Sequence, residues 1–188
     1  MQRITAILIR GYGYFISMIE FDLKRCLNVI AFNSIYKKIC KKYSDYEVER
    51  GREQGAEYVS IMKSGFSKPI KIYYDPDIGE YIVTFAIQHI HIDEDIDLLD
   101  EVSNFANGSI AAIEFYENGK DIFGGQIETS SLEKLTYDTL RTRFGYPNLD
   151  ISKMTFRVYA WNENYCFEGS FAKSAENTIQ IIKKDSFI

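Results

Sequence analysis

The spacing of apolar residues changes near Pro69, and this change limits what the chain can fold into. Before Pro69, apolar residues recur every three or four positions, as in helices with one buried stripe; beyond it they alternate, as in strands. We therefore predict a mainly helical part over residues 1–66 and a sheet-rich part over residues 67–188. This order predicts an α+β fold, with helices packed on one face of a mostly antiparallel twisted sheet and a helical segment at the N-terminus.

The helical part is predicted to contain three helices. Residues 16–30 carry one apolar stripe, and a break at Asn33-Ser34 separates them from a second helix with apolar Ile35 and Ile39. The opposite face of the second helix is basic and carries Lys37, Lys38, Lys41 and Lys42. The pair Ser44 and Glu47 has capping-box spacing and predicts a third helix that runs toward residue 61.

The sheet-rich part begins with two predicted strands, residues 71–74 and 81–92, joined through the turn residues 75–79. Asp93, Glu94 and Asp95 then begin a helix that Gly108 ends, because acidic residues suit a helix N-terminus and glycine suits the end. The apolar face of this helix is formed by Leu98, Leu99, Val102, Phe105 and Ala106.

The pair Asn118-Gly119 gives the clearest hairpin signal, since Asn-Gly favours two-residue type I′ turns. It lies between predicted strands at 110–116 and 122–127. Ser130 and Glu133 form a second capping box and predict a helix that ends near Gly145. Three further strands are predicted at 154–161, 165–171 and 178–182. Together with the four earlier strands, these make seven candidates for one sheet.

Length and composition favour one packed domain inside the cell. A chain of 188 residues with 15% aromatic side chains can bury a full core, so we predict a single domain over residues 1–188. Cys26, Cys40 and Cys166 are odd in number and form no CxxC pair, which is typical of a reducing cytoplasm. The apolar run at residues 4–9 is too short to span a membrane. We expect a cytoplasmic protein with no membrane partner.

Few residues favour catalysis. His89 and His91 project from the same face of a predicted strand, but a bare pair rarely completes the four ligands that zinc prefers. No G-x-S-x-G elbow occurs. We therefore predict a protein that is not an enzyme and has no metal, cofactor or small-molecule substrate. A small metal- or carboxylate-dependent enzyme and an RNA-binding module that uses the basic N-terminal helix stay open as alternatives.

Charge distribution is the most informative bulk property. Residues 72–119 contain 11 carboxylates and no lysine or arginine, whereas the whole chain has a net charge of −5. On the predicted helix, acids recur at helical spacing on the face opposite the apolar stripe, which indicates either a solvated face or a docking surface for a positively charged protein. The predicted partner-binding residues are Asp75, Asp77, Asp93, Glu94, Asp97, Asp100 and Glu101.

Residues 80–128 resemble bacterial immunity proteins of contact-dependent inhibition and related polymorphic toxin systems. The resemblance lies in the strings YIVTF (81–85), QHIH (88–91), AIEFYENGK (112–120) and FGG (123–125). It implies a cytoplasmic antidote, without catalytic residues, that binds one cognate toxin and blocks its active site. Such toxins are commonly basic nucleases; a transfer-RNA-cleaving ribonuclease of EndoU type is the first candidate. The genes of such antidotes directly follow those of their toxins, and no direct contact with nucleic acid is expected.

Overall fold

The computed structural model describes residues 32–75, 79–93, 95–144, 150, 153–171 and 179–184. The first predicted helix, residues 16–30, lies outside this range. Helix α1 covers residues 32–42 and continues through Asn33-Ser34, so the predicted break there is wrong. Its apolar side chains Ile35 and Ile39 are fully buried, as the spacing predicted.

Five strands form the first sheet in chain order, and each pairs antiparallel with the next. They are β1 (Glu47–Glu53), β2 (Ala56–Met62), β3 (Ile70–Asp75), β4 (Glu80–Phe85) and β5 (Gln88–Ile92).

Two sequence predictions in this sheet are wrong. The predicted third helix is instead the β1–β2 hairpin, which turns at Gln54 and Gly55 with φ angles of 51° and 90°. Cross-strand pairing outweighs the capping-box signal there, since the glycines disfavour a helix. The predicted strand 81–92 is two strands, because Ala86 adopts a φ of 55° and turns the chain.

The second sheet contains five further strands in the order β10-β9-β8-β6-β7, also antiparallel. They are β6 (Ile110–Glu117), β7 (Lys120–Glu128), β8 (Thr155–Tyr159), β9 (Phe167–Phe171) and β10 (Ile179–Lys184). The Asn118-Gly119 turn is confirmed, with φ angles of 52° and 78°. The α+β class and the antiparallel pairing are confirmed, but the strands form two sheets and not one.

The helix predicted after Asp93 is confirmed as α2 (Asp95–Ala106), and Gly108 ends it with a φ of 74°. The single helix predicted from Ser130 to Gly145 is wrong, because the chain forms two separate helices there. They are a 3-10 helix (Thr129–Lys134) and α3 (Tyr137–Phe144). Thr136 separates them by capping α3, since its Oγ1 accepts a hydrogen bond from the Thr139 amide at 3.2 Å.

The core lies in two layers, one on each side of the second sheet. The first is formed by α1, α2 and the inner face of the first sheet, and it also takes in Tyr159 and Trp161. The second lies between the other face of the second sheet, the 3-10 helix and α3. Gly124 lets the β4–β5 turn approach, because a Cβ there would lie 2.7 Å from Ile87 Cγ2. No helix in the described ranges is long and apolar enough to cross a membrane.

Candidate docking site

Strand register brings acidic residues together at one end of the first sheet. Asp75 and Glu80 are direct cross-strand partners where β3 ends and β4 begins. Tyr81 pairs with Ile92, which places Asp93 beside the same end, and α2 begins two residues later. We call this set the acidic surface: Asp75, Glu80, Asp93, Asp97 and Asp100.

The helical part of the acidic surface faces solvent. Asp97 and Asp100 are exposed, as is Asp93 just before α2, whereas Leu98, Val102 and Phe105 on the opposite side are fully buried. Among the described residues, no salt bridge joins any of these three aspartates to a lysine or arginine. Their charge is therefore displayed outward, as the helical spacing predicted.

The basic helix α1 lies beside α2. Its four lysines are exposed. Lys42 Nζ donates a hydrogen bond of 2.5 Å to Ser103 Oγ, about one helical turn after Asp100. The basic face of α1 therefore borders the helical part of the acidic surface.

The sheet end of the acidic surface is unfavourable for stability. Carboxylates directly opposite each other in an antiparallel pair repel, and Asp75 and Glu80 hold this position. Glu80 Oε2 lies 2.9 Å from His91 Nδ1, which offsets the repulsion when the imidazole is protonated. The pKa of Tyr74 is raised mainly by burial and, to a smaller extent, by the negative charge of the adjacent Asp75. An arrangement that costs stability is typical of a functional surface.

Not every predicted partner-binding residue belongs to this surface. The half-buried Glu101 accepts a 2.8 Å hydrogen bond from Gln126 Nε2 through its Oε1, and so ties α2 to β7. Asp77 and Glu94 lie outside the described residues. Glu80 is not among the residues predicted from the sequence, although the turn at residues 75–79 beside it is. Counting the register back from that turn would have paired Glu80 with Asp75.

The two histidines do not assemble a metal centre with other ligands. Their ring centroids lie 5.8 Å apart, and His91 contacts Glu80. Within the described ranges, no group of three or more histidine, cysteine, aspartate or glutamate side chains could hold a metal ion. The buried Cys166 thiol donates a hydrogen bond of 3.0 Å to the Ala160 carbonyl.

A buried carboxylate that the sequence analysis did not single out joins the two sheets. Glu114 of β6 is only 4% exposed. Its Oε1 accepts a 3.0 Å hydrogen bond from the Ile87 amide in the β4–β5 turn, and its Oε2 accepts one from the Tyr116 hydroxyl. A charged residue inside the apolar strand Ile110–Glu117 was the signal that could have revealed it.

The network around Glu114 continues along the second sheet. Burial raises the pKa of Tyr116, and hydrogen bonds to Glu114 and Tyr159 raise it further, which keeps the phenol protonated. The Arg157 guanidinium lies 4.6 Å from the Tyr116 ring centroid, and its Nε donates a 3.1 Å hydrogen bond to Glu168 Oε2. A tyrosine that stays protonated and an arginine paired with a glutamate are typical of a structural hydrogen-bond network, and not of a site that holds a nucleophile.

No protein-family model, curated protein or solved structure matches the chain.

Proposed function

We propose that this chain is an immunity protein that binds a cognate toxin and neutralises it. The toxin is a basic nuclease, with an EndoU-type ribonuclease as the first candidate, and the acidic surface covers its active-site cleft. The observation that carries the proposal is the gathering of Asp75, Glu80 and Asp93 at the end of the first sheet where α2, with its exposed aspartates, begins.

The chemistry of an RNA-cutting cleft explains why carboxylates suit this role. Such a cleft presents cations that hold phosphate groups, and a row of fixed carboxylates can occupy the same positions. Complementary fields also speed association and favour the correct partner over others. An antidote needs no catalytic group of its own, so an exposed acidic surface is sufficient.

The proposal is tested with the toxin domain encoded directly upstream of this chain. We expect the two proteins to form a complex in which RNA cleavage stops, and co-expression to protect cells from the toxin. Because exposed charges are screened within a Debye length of about 8 Å at physiological salt, association should slow as salt is added. RNA cleavage that continues at a saturating excess of this chain would contradict the proposal.

The basic face of α1 supports a second, competing function, an RNA-binding module. Its test uses the same purified chain without a toxin. Binding of single-stranded RNA that weakens with salt and disappears in the Lys37→Glu, Lys41→Glu double variant would favour this function. The immunity proposal expects no RNA binding by the chain alone.

A further inference from the structure

The face of the first sheet opposite the first core carries a row of side chains aligned by the strand register. Gly51, Tyr58, Tyr73, Ile82 and His91 are successive cross-strand partners from β1 to β5. Side chains in such a row project from the same face. Tyr58, Tyr73 and Ile82 belong to neither of the two buried cores of the described residues, and all three are half-buried.

The two tyrosine rings in this row are held in place. The Tyr58 ring lies over Gly51, where an added Cβ would come within 2.5 Å of the Tyr58 Oη. The centroids of the Tyr58 and Tyr73 rings are 5.7 Å apart. Rigid aromatic rings provide a large contact area at a low cost in conformational entropy, which is why tyrosine is enriched at binding hot spots.

The same face already holds one cation from its own chain. Lys71 Nζ lies 4.8 Å from the Tyr58 ring centroid and 3.0 Å from Glu53 Oε2. Glu53 Oε2 also accepts a 3.0 Å hydrogen bond from the Tyr73 hydroxyl, and the hydrogen bonds from Lys71 and Tyr73 lower the pKa of Glu53. A ring and a carboxylate on this face therefore hold a cation together, and an arginine that stacks on Tyr58 exchanges with Lys71 there.

The tyrosine row is continuous with the acidic surface. Asp75 follows Tyr73 by two positions on β3, and Glu80 precedes Ile82 by two positions on β4. Both acids therefore project from the same face as the rings and form the next row of side chains. A partner that meets Asp75 and Glu80 is thus brought over the rings. Arginine is the side chain that fits both, because its planar guanidinium stacks on aromatic rings and forms paired hydrogen bonds to carboxylates.

We infer that Tyr58, Tyr73 and Ile82 form the anchor of the docking interface and take arginine side chains from the basic partner. This inference rests on the proposed function, in which the partner is a basic protein. The acids govern how fast the partner arrives, since rim charges act mainly on association. The rings govern how long it stays, because desolvated aromatic anchors carry most of the binding energy.

The test uses synthetic nona-arginine and nona-lysine peptides and nuclear magnetic resonance of the tyrosine rings. We expect nona-arginine to shift the ring resonances of Tyr58 and Tyr73, and to bind more tightly than nona-lysine. The Tyr58→Leu, Tyr73→Leu double variant should bind nona-arginine about tenfold more weakly, as expected for the loss of cation–π contacts of about 1.4 kcal/mol in all. The matched Tyr58→Phe, Tyr73→Phe variant keeps the rings and should bind as the parent does.

Three results would overturn the inference: ring resonances of the unaltered chain that nona-arginine leaves in place, equal affinity for the two peptides, or equal binding by the leucine and phenylalanine variants. The first two need no variant, so they hold even if a variant fails to fold. Because the peptides are not toxins, a chain that binds nona-arginine through its rings but binds no toxin contradicts the proposed function alone. A chain that binds the toxin but leaves its rings unperturbed by nona-arginine contradicts only the inference.

Discussion

Replacing both Asp97 and Asp100 with lysine is expected to weaken binding of the proposed toxin by about 100-fold. Close charge pairs across an interface couple by about 1.5 kcal/mol or more each, and two such pairs amount to about two powers of ten in affinity. Both side chains are exposed and point away from the core, so the fold should survive the change. Most of the loss should appear as slower association, measured by stopped-flow mixing at low salt.

A matched control keeps the change in net charge and moves it elsewhere. Asp121 and Glu133 are exposed on β7 and the 3-10 helix, outside the acidic surface. The Asp121→Lys, Glu133→Lys double variant should bind the toxin within a few fold of the unaltered chain. If the two double variants lose affinity equally, only the overall charge matters and the acidic surface has no specific role.

Replacing Glu114 with alanine is expected to cost about 2–4 kcal/mol in the free energy of unfolding, the largest stability effect we predict. The change leaves the Ile87 amide and the Tyr116 hydroxyl without their shared acceptor between the sheets. Urea unfolding with linear extrapolation measures the loss. Glu114→Gln, which keeps one carbonyl oxygen, should lose less.

The control for Glu114 is the exposed carboxylate at the end of the neighbouring strand. Glu128→Ala removes a solvent-facing glutamate and should change the free energy of unfolding by less than about 0.5 kcal/mol. Equal stability of Glu114→Ala and Glu128→Ala would mean that the buried network does not join the sheets energetically.

The sequence predicted correctly those elements that capping residues, apolar spacing and turn residues determine locally. Helix α2 has an acidic start, a regular apolar stripe and a glycine end, and these agree with one another. The Asn118-Gly119 turn likewise fixes its own hairpin. The β1–β2 hairpin was missed because a capping-box pair favoured a helix locally, whereas pairing of β2 with β3 stabilises a strand from farther along the chain.

Two further features of the fold depend on pairing between distant strands and could not be predicted from the sequence. Nothing in the alternation of apolar residues shows that β5 ends one sheet and β6 enters another. Ala86 turns the chain with a positive φ that alanine seldom adopts, so composition gave no signal of it.

The residues of the candidate site are likewise of two kinds: those that local spacing predicts and those that only the folded sheet brings together. The exposed aspartates of α2 follow from helical spacing alone, and they were predicted correctly as one face. Glu80 and the row of Tyr58 and Tyr73 depend on strand register, which only the folded sheet fixes. Glu114 required knowing that both faces of β6 are buried.

The most direct measurement of the central claim is amide hydrogen exchange of this chain, free and in complex with the upstream-encoded toxin. If the acidic surface and the adjoining tyrosine row dock the toxin, exchange should slow over residues 56–62, 71–75, 80–93 and 95–101 and stay unchanged in β8, β9 and α3. Slowing confined to β8, β9 and α3, with the end of the first sheet exchanging as in the free chain, would contradict the account.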